Sequence, residues 1–312
     1  MEDSLSWGTD GPTLRTPRHT GATEHREDAM PGRPNPTLRQ RRLGAELRRM
    51  REQAGLRGGE LANLLGVSAA QVTQMENGKT SVNADRLRTI AAACKCTNEP
   101  LIEALVGFTT SHPKGWWERY RGTLSTGFLE VAEMEAHALK IYTWATTYVP
   151  GLQQTGAYAS AVFARISPPL PQRDIDTRTA FRVQRQQALR SGGAPHVSFI
   201  HEAALRMQFG GRKVLAEQLD SLIEDSAAGA CSVRVVPFDM DTFPGAGENI
   251  MFAEGLVPEL ATLQMDTAQG VLFFDAPADL ASHRATFAQL DSLALPDDES
   301  RKFIRTIRGR YE

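Results

Sequence analysis

Apolar positions recur every three or four residues through the first well-patterned stretch of the chain and give way to alternation and short apolar runs further on. In LRQRRLGAELRRMREQAG, Leu43, Leu47, Met50 and Ala54 fall on one face at a spacing near 3.6, which predicts a helix starting at Leu38. The stretch from Arg57 to Lys79, RGGELANLLGVSAAQVTQMENGK, predicts two short helices joined by a tight turn. Leu61, Leu65, Val67, Val72 and Met75 form the apolar face that locks this pair together. Ala62 is small where the second helix crosses the first, and Gly66 tolerates the positive φ that the turn needs. Ser68 is placed to cap the second helix and satisfy an orphan amide. ADRLRTIAAACKC follows with Leu87, Ile90 and Ala91 inward, then NEPLIEALVGF with Leu101, Ile102, Leu105 and Val106 inward. The pattern predicts an all-α domain of five helices over residues 37–108.

Downstream the pattern is mixed. HALKIYTWATTYV reads as a strand segment ended by Pro150-Gly151, and GAYASAVFARI and TRTAFRVQRQQALR read as helices. HVSFI reads as a strand, HEAALRMQF and RKVLAEQLDSLIEDSA as helices. CSVRVVPF, ENIMFAE, ELATLQM and GVLFFDA are strand-like, rich in β-branched and aromatic residues between Gly, Pro and Asp. PADLASHRATFAQLDSLAL and ESRKFIRTIRGRY close the chain as helices. Helices and strands do not alternate regularly, so residues 123–312 are expected to form an α+β domain. Residues 109–122 read as a connector broken at His112-Pro113 and Lys114-Gly115, with Trp116, Trp117 and Tyr120 docking it onto a neighbour. Residues 1–36, rich in Gly, Pro, Thr and charge, are expected to be a disordered tail.

Composition narrows the class. The 312 residues suffice for a small domain and a larger one, and no apolar run is long enough to span a membrane. No apolar leader segment stands at the N-terminus. Cys94, Cys96 and Cys231 make no even disulfide framework, which suits reduced thiols in a cytoplasmic protein. The overall net charge of −2 conceals an asymmetry. Residues 37–108 hold 11 Lys and Arg against 7 Asp and Glu, whereas residues 109–312 hold 20 against 24. The positive excess coincides with the helical domain, the segment expected to meet phosphate.

These residues carry a resemblance. The segment from about Leu38 to Phe108 resembles a Cro/repressor-type (XRE family) helix-turn-helix domain. The resemblance implies that a Glu at the end of the recognition helix pairs with an Arg at the end of the first helix. Glu76 and Arg51 stand at those places and would form a partly buried orienting pair. In the second region, VPGLQQTGAYASAVF, RVQRQQALR, HEAALRM and VRVVPF resemble the C-terminal domain of antitoxin-like actinobacterial-type regulators. That resemblance implies a small co-encoded protein partner. The fold expected is therefore an N-terminal five-helix repressor-like DNA-binding domain followed by an α+β domain that regulates or oligomerises.

The helix over residues 68–77 is expected to read the major groove of double-stranded DNA. Gln71 and Gln74 share a face, and a glutamine amide can pair with adenine N6 and N7. Ala69, Ala70 and the Thr73 methyl can sit against thymine methyls. Arg57, Ser68, Asn77 and Lys79 are phosphate candidates. Structural roles fall to Arg51, Ala62, Gly66, Val72, Met75 and Glu76. One such module covers little DNA, so a homodimer on two half-sites is expected.

A small effector is the alternative to a protein partner; Trp144, Tyr148, Phe199, Phe209 and Phe252 could line its pocket, although core packing is the favoured reading of these aromatics. Enzyme signatures are fragmentary. His201-Glu202 lacks the second histidine of HExxH, and Gly245-Ala246-Gly247 lacks the last glycine of GxGxxG. No catalytic residue, metal site or cofactor is therefore expected.

Overall fold

The computed structural model describes residues 35–110, 115–240, 242–245, 249–267 and 270–311. Residues 1–34 of the expected N-terminal tail and the helix breakers His112, Pro113 and Lys114 lie outside the described residues. Five helices come first: α1 (Leu38–Gln53), α2 (Gly58–Leu65), α3 (Ala69–Glu76), α4 (Ala84–Ala93) and α5 (Glu99–Thr109). Side chains cap most of their starts. The Thr37 hydroxyl accepts from Gln40 N while Gln40 Oε1 accepts from Thr37 N, and Asn83 and Asn98 cap α4 and α5. Leu47, Leu61, Val72, Leu87, Ile90 and Leu105 form the core of this bundle. Ala54 does not join them. It is the exposed C-cap of α1, because the helix ends one residue short of the inward turn its spacing suggested.

A short 3-10 turn, Trp116–Tyr120, then leads to the second region. Its Trp116 and Tyr120 rings pack on Phe181 at 5.1 and 5.0 Å. Next come α6 (Thr126–His137), β1 (Lys140–Ala145), α7 (Gly156–Phe163), α8 (Gln172–Arg190), β2 (His196–His201) and α9 (Glu202–Arg206). They are followed by α10 (Arg212–Ala227), β3 (Ser232–Val236), β4 (Ile250–Glu254), β5 (Thr262–Thr267), β6 (Gly270–Phe274), α11 (Pro277–Leu293) and α12 (Asp297–Arg308). The six strands form one sheet in the order β3-β2-β1-β4-β5-β6. The β1–β2 and β2–β3 pairs are parallel, joined by helical crossovers, and β4 to β6 are an antiparallel meander. The class is α+β as expected.

Strand alternation divides the apolar residues between two faces. Trp144, Phe199, Phe252 and Leu263 meet Leu280, Phe287 and Leu290 of α11. On the other face Ile200, Val233 and Val235 meet Tyr158, Leu215, Leu219, Leu222 and Ile304. This division agrees with the core reading of the candidate pocket aromatics. Trp144, Phe199 and Phe252 are core residues on one face, while Tyr148 and Phe209 pack into the other core.

Pro36–Glu312 is one compact unit, and the second region begins against α1. Arg42, only 5% exposed, reaches across this seam. Its Nη1 lies 2.7 Å from Asp275 Oδ2, and its Nη2 donates to the Glu259 carbonyl. Glu46 accepts from Arg42 at 3.0 Å and also pairs with Arg49, which in turn reaches Asp275. Arg41 meets Glu130 at 2.7 Å, and Asn98 Nδ2 donates to Glu259 Oε1 at 2.8 Å. Burial pushes the Glu46 carboxyl above the usual range despite its two arginines. Burial opposes charge at Asp275 too, but there Arg42 and Arg49 outweigh it and hold the carboxyl low.

Candidate nucleic-acid interface

Three fixings hold α3 in place. At its leading end Gly66 takes φ +65°, in the left-handed region, and Val67 N closes on the Ala62 carbonyl at 3.0 Å. Ser68 and Gln71 then form a reciprocal box. The Ser68 hydroxyl accepts from Gln71 N at 3.2 Å, and Gln71 Oε1 accepts from Ser68 N at 3.0 Å. At the trailing end Arg51 binds Glu76 through two parallel bonds, Nε to Oε1 at 2.5 Å and Nη2 to Oε2 at 2.9 Å. Its remaining nitrogen, Nη1, donates to the Leu56 carbonyl at 2.9 Å. Both partners keep only 12% of their side-chain surface. One guanidinium thus ties together the end of α1, the α1–α2 loop and the end of α3. Below, Ala62, Val72 and Met75 are buried in the bundle core.

Two glycines do work that helical spacing did not reveal. A Cβ on Gly44, within α1, would stand 2.3 Å from the Glu76 carbonyl oxygen. A Cβ on Gly78, at φ +68°, would stand 2.7 Å from the Gln40 carbonyl oxygen. The end of α3 therefore rests on the bare backbone of α1. The signal in the sequence was a glycine inside a helix otherwise made of strong helix formers.

On the outer side Ala69, Ala70, Gln71, Thr73 and Asn77 are exposed. Gln74 is half-buried, which corrects its expected full exposure, since it stands beside the inward Met75. Thr73 Oγ1 donates to the Ala69 carbonyl at 3.0 Å. Gln71 has its amide oxygen committed to Ser68. While that cap stands, the Gln71 amide has only its NH2 group left to offer a further partner. Arg57 is the N-cap of α2, 87% exposed, and its guanidinium lies 2.8 Å from Glu60. Lys79 is exposed just past Gly78.

The basic excess of this domain is not all available to phosphate. Arg41, Arg42 and Arg49 face the second region, Arg51 holds α3, and Arg88 pairs with Glu103 at 2.8 Å. Charge counting along the chain cannot distinguish cations aimed outward from cations used in internal pairs. What remains is a nearly neutral helix, fixed at both ends, with small and amide side chains outward. That shape and chemistry suit a groove that admits a helix and displays donors, acceptors and methyls.

Comparison with known families agrees with this construction. Residues 42–105 match a helix-turn-helix domain, which makes the first region a DNA-binding module of the regulator type. No curated protein and no solved structure matches the chain. No helix of the described residues is long and apolar enough to cross a membrane. Residues 128–306, more than half of the chain, match a domain of unknown function, DUF5753, and the protein belongs to that family.

Proposed function

We propose that this protein is a sequence-specific transcriptional regulator of the Cro/repressor (XRE) type that lays α3 in the major groove. The observation that carries this reading is the outer face of α3, held by Gly66, the Ser68–Gln71 box and the Arg51–Glu76 pair. Gln74 reads adenine, Ala69, Ala70 and Thr73 meet thymine methyls, and Gln71 adds a single donor. Arg57, Ser68, Asn77 and Lys79 position the helix on phosphates. A homodimer on two half-sites supplies the remaining contact area. The second region regulates this activity through a small effector or a protein partner, the latter as in antitoxin-like regulators, and performs no catalysis.

The test is binding to the protein's own upstream DNA by fluorescence anisotropy, over a salt series, with scrambled competitor. Because so many arginines are paired internally, specific binding should show a shallow log–log salt slope, reflecting few phosphate contacts per module. Gln74→Ala should lower specific affinity by about 1–3 kcal/mol and leave non-specific affinity nearly unchanged. An equal loss on both DNAs would remove Gln74 from base reading. Binding that scrambled DNA abolishes would defeat the specific-regulator reading.

A further inference from the structure

A cavity of about 370 Å³ opens on the seam between the DNA-binding helices and the second region. Its walls come from both: Leu38 on α1 and Phe108 on α5, against Met134 on α6 and Leu260 before β5. The volume falls toward the small end of ligand sites, about 300–1,000 Å³, which occur preferentially where domains meet. Leu139 and Leu256, both exposed, stand at its lining. Arg39 and Arg42 are matched there by Glu133 and Glu254, so the formal charges of the lining arginines and glutamates cancel.

Gly107 supplies the second observation. It lies inside α5 without positive φ, and a Cβ added there would meet nothing within 4 Å. Neither backbone conformation nor close packing calls for glycine, which is among the poorest residues within a helix. Gly107 stands in the cavity lining, so a side chain placed there would have open space to occupy. Its carbonyl accepts from Arg39, whose guanidinium also lies 4.3 Å from the centre of the Phe108 ring.

We propose that this cavity is an effector site for a small, uncharged, mainly apolar molecule, and that the DNA-binding helices respond to its occupancy. Its apolar body lies against Phe108, Met134 and Leu260. Burial lowers the Arg39 pKa and raises that of Glu133, so the site is unfavourable to further unpaired charge and favours a neutral ligand. The response follows from the walls, because a ligand touching α1 and α5 on one side and α6 and the β4–β5 segment on the other has a different affinity for different settings of the seam. The site itself stands on its geometry; the response to DNA rests on the regulator reading above.

The test uses the full chain and the neutral naphthalene ketone dye prodan. Its emission should rise and shift blue with saturation on the wild-type protein. Gly107→Leu, which fills the cavity from α5, should weaken dye binding about tenfold or more, and Gly107→Ala should weaken it less. Gly107→Ala should raise Tm by about 2 °C through helix propensity. Absence of dye binding, equal binding to the wild-type and Gly107→Leu proteins, or a lowered Tm for Gly107→Ala would overturn the site. A shift in affinity for upstream DNA at saturating dye supports the response, and an unchanged affinity overturns it. Dye binding that is sensitive to Gly107 in a protein with no affinity for DNA would keep the site and defeat the regulator reading instead.

Discussion

His196 shows what a single buried polar side chain costs and what it specifies. Its Nε2 lies 3.1 Å from Thr143 Oγ1 and 3.2 Å from Ser198 Oγ, and Ser198 Oγ donates onward to Gln153 Oε1 at 2.6 Å. All four side chains are buried, and Ser198 has no exposure, so the serine hydroxyl beside this imidazole does not meet solvent. Burial pushes the His196 pKa down to about 4, against an ordinary 6.5. The folded protein thus refuses a proton that the unfolded chain accepts. Stability is full above pH 6.5 and is lost as pH falls through that value towards 4. One such group implies a loss of about 2 kcal/mol between pH 7 and pH 5. Urea unfolding at the two pH values should show that difference in the wild-type protein and a much smaller one in His196→Gln.

At the scale of elements, two helix glycines should respond to alanine with opposite signs. Propensity alone favours Gly→Ala inside any helix. Gly44 sits where α1 meets the end of α3, and an added Cβ would strike the Glu76 carbonyl. Gly44→Ala should therefore destabilise the protein by about 1–3 kcal/mol, as overpacking does, and displace α3 enough to abolish DNA binding. Gly107→Ala should stabilise it, because the same atom enters open space. Thermal melts of the two variants side by side would check the sign. The Arg51–Glu76 pair acts on the same joint. Glu76→Gln should weaken the two-bond clamp and cost about 2 kcal/mol, and a double-mutant cycle with Arg51→Met should show strong coupling.

At the scale of the whole molecule, the seam makes the two regions one unit. Asp275 receives both Arg42 and Arg49 and lies more than two hundred residues from them in the chain. Asp275→Asn leaves Arg42 buried with Glu46 and the main-chain carbonyls of Glu259 and residue 275 as partners. The expected cost is about 2 kcal/mol, below the figure for a fully buried pair because Asp275 keeps a third of its side chain in water. Calorimetry should show a single transition in the wild-type protein and a broadened or split transition in the variant. A single sharp transition at the wild-type temperature would mean that the ion network does not couple the regions.

The helix-turn-helix was legible because its determinants are local. The turn glycine, the capping serine and the apolar spacing all lie within one short window, where backbone sterics and hydrogen-bond geometry operate. Strands β1 to β6 were legible for a similar reason, since β-branched and aromatic runs between turn residues report on their own neighbourhood. Helix α6 escaped notice. Its buried face mixes Leu129 and Met134 with Glu130 and Glu135, whose charges are compensated by Arg41 and Arg185 from other elements. Nothing near α6 in the chain announces those partners.

The same limit hid the strand order, the functions of Gly44, Gly78 and Gly107, the capping duty of Gln71 and the internal use of the arginines. By itself the sequence determined which segments fold locally and which face of each is apolar, because periodicity and capping are nearest-neighbour physics. Only the tertiary structure decided which charges are satisfied, where a missing Cβ makes a contact or leaves a space, and that a cavity opens between the two regions. Those properties depend on atoms brought together from distant parts of the chain.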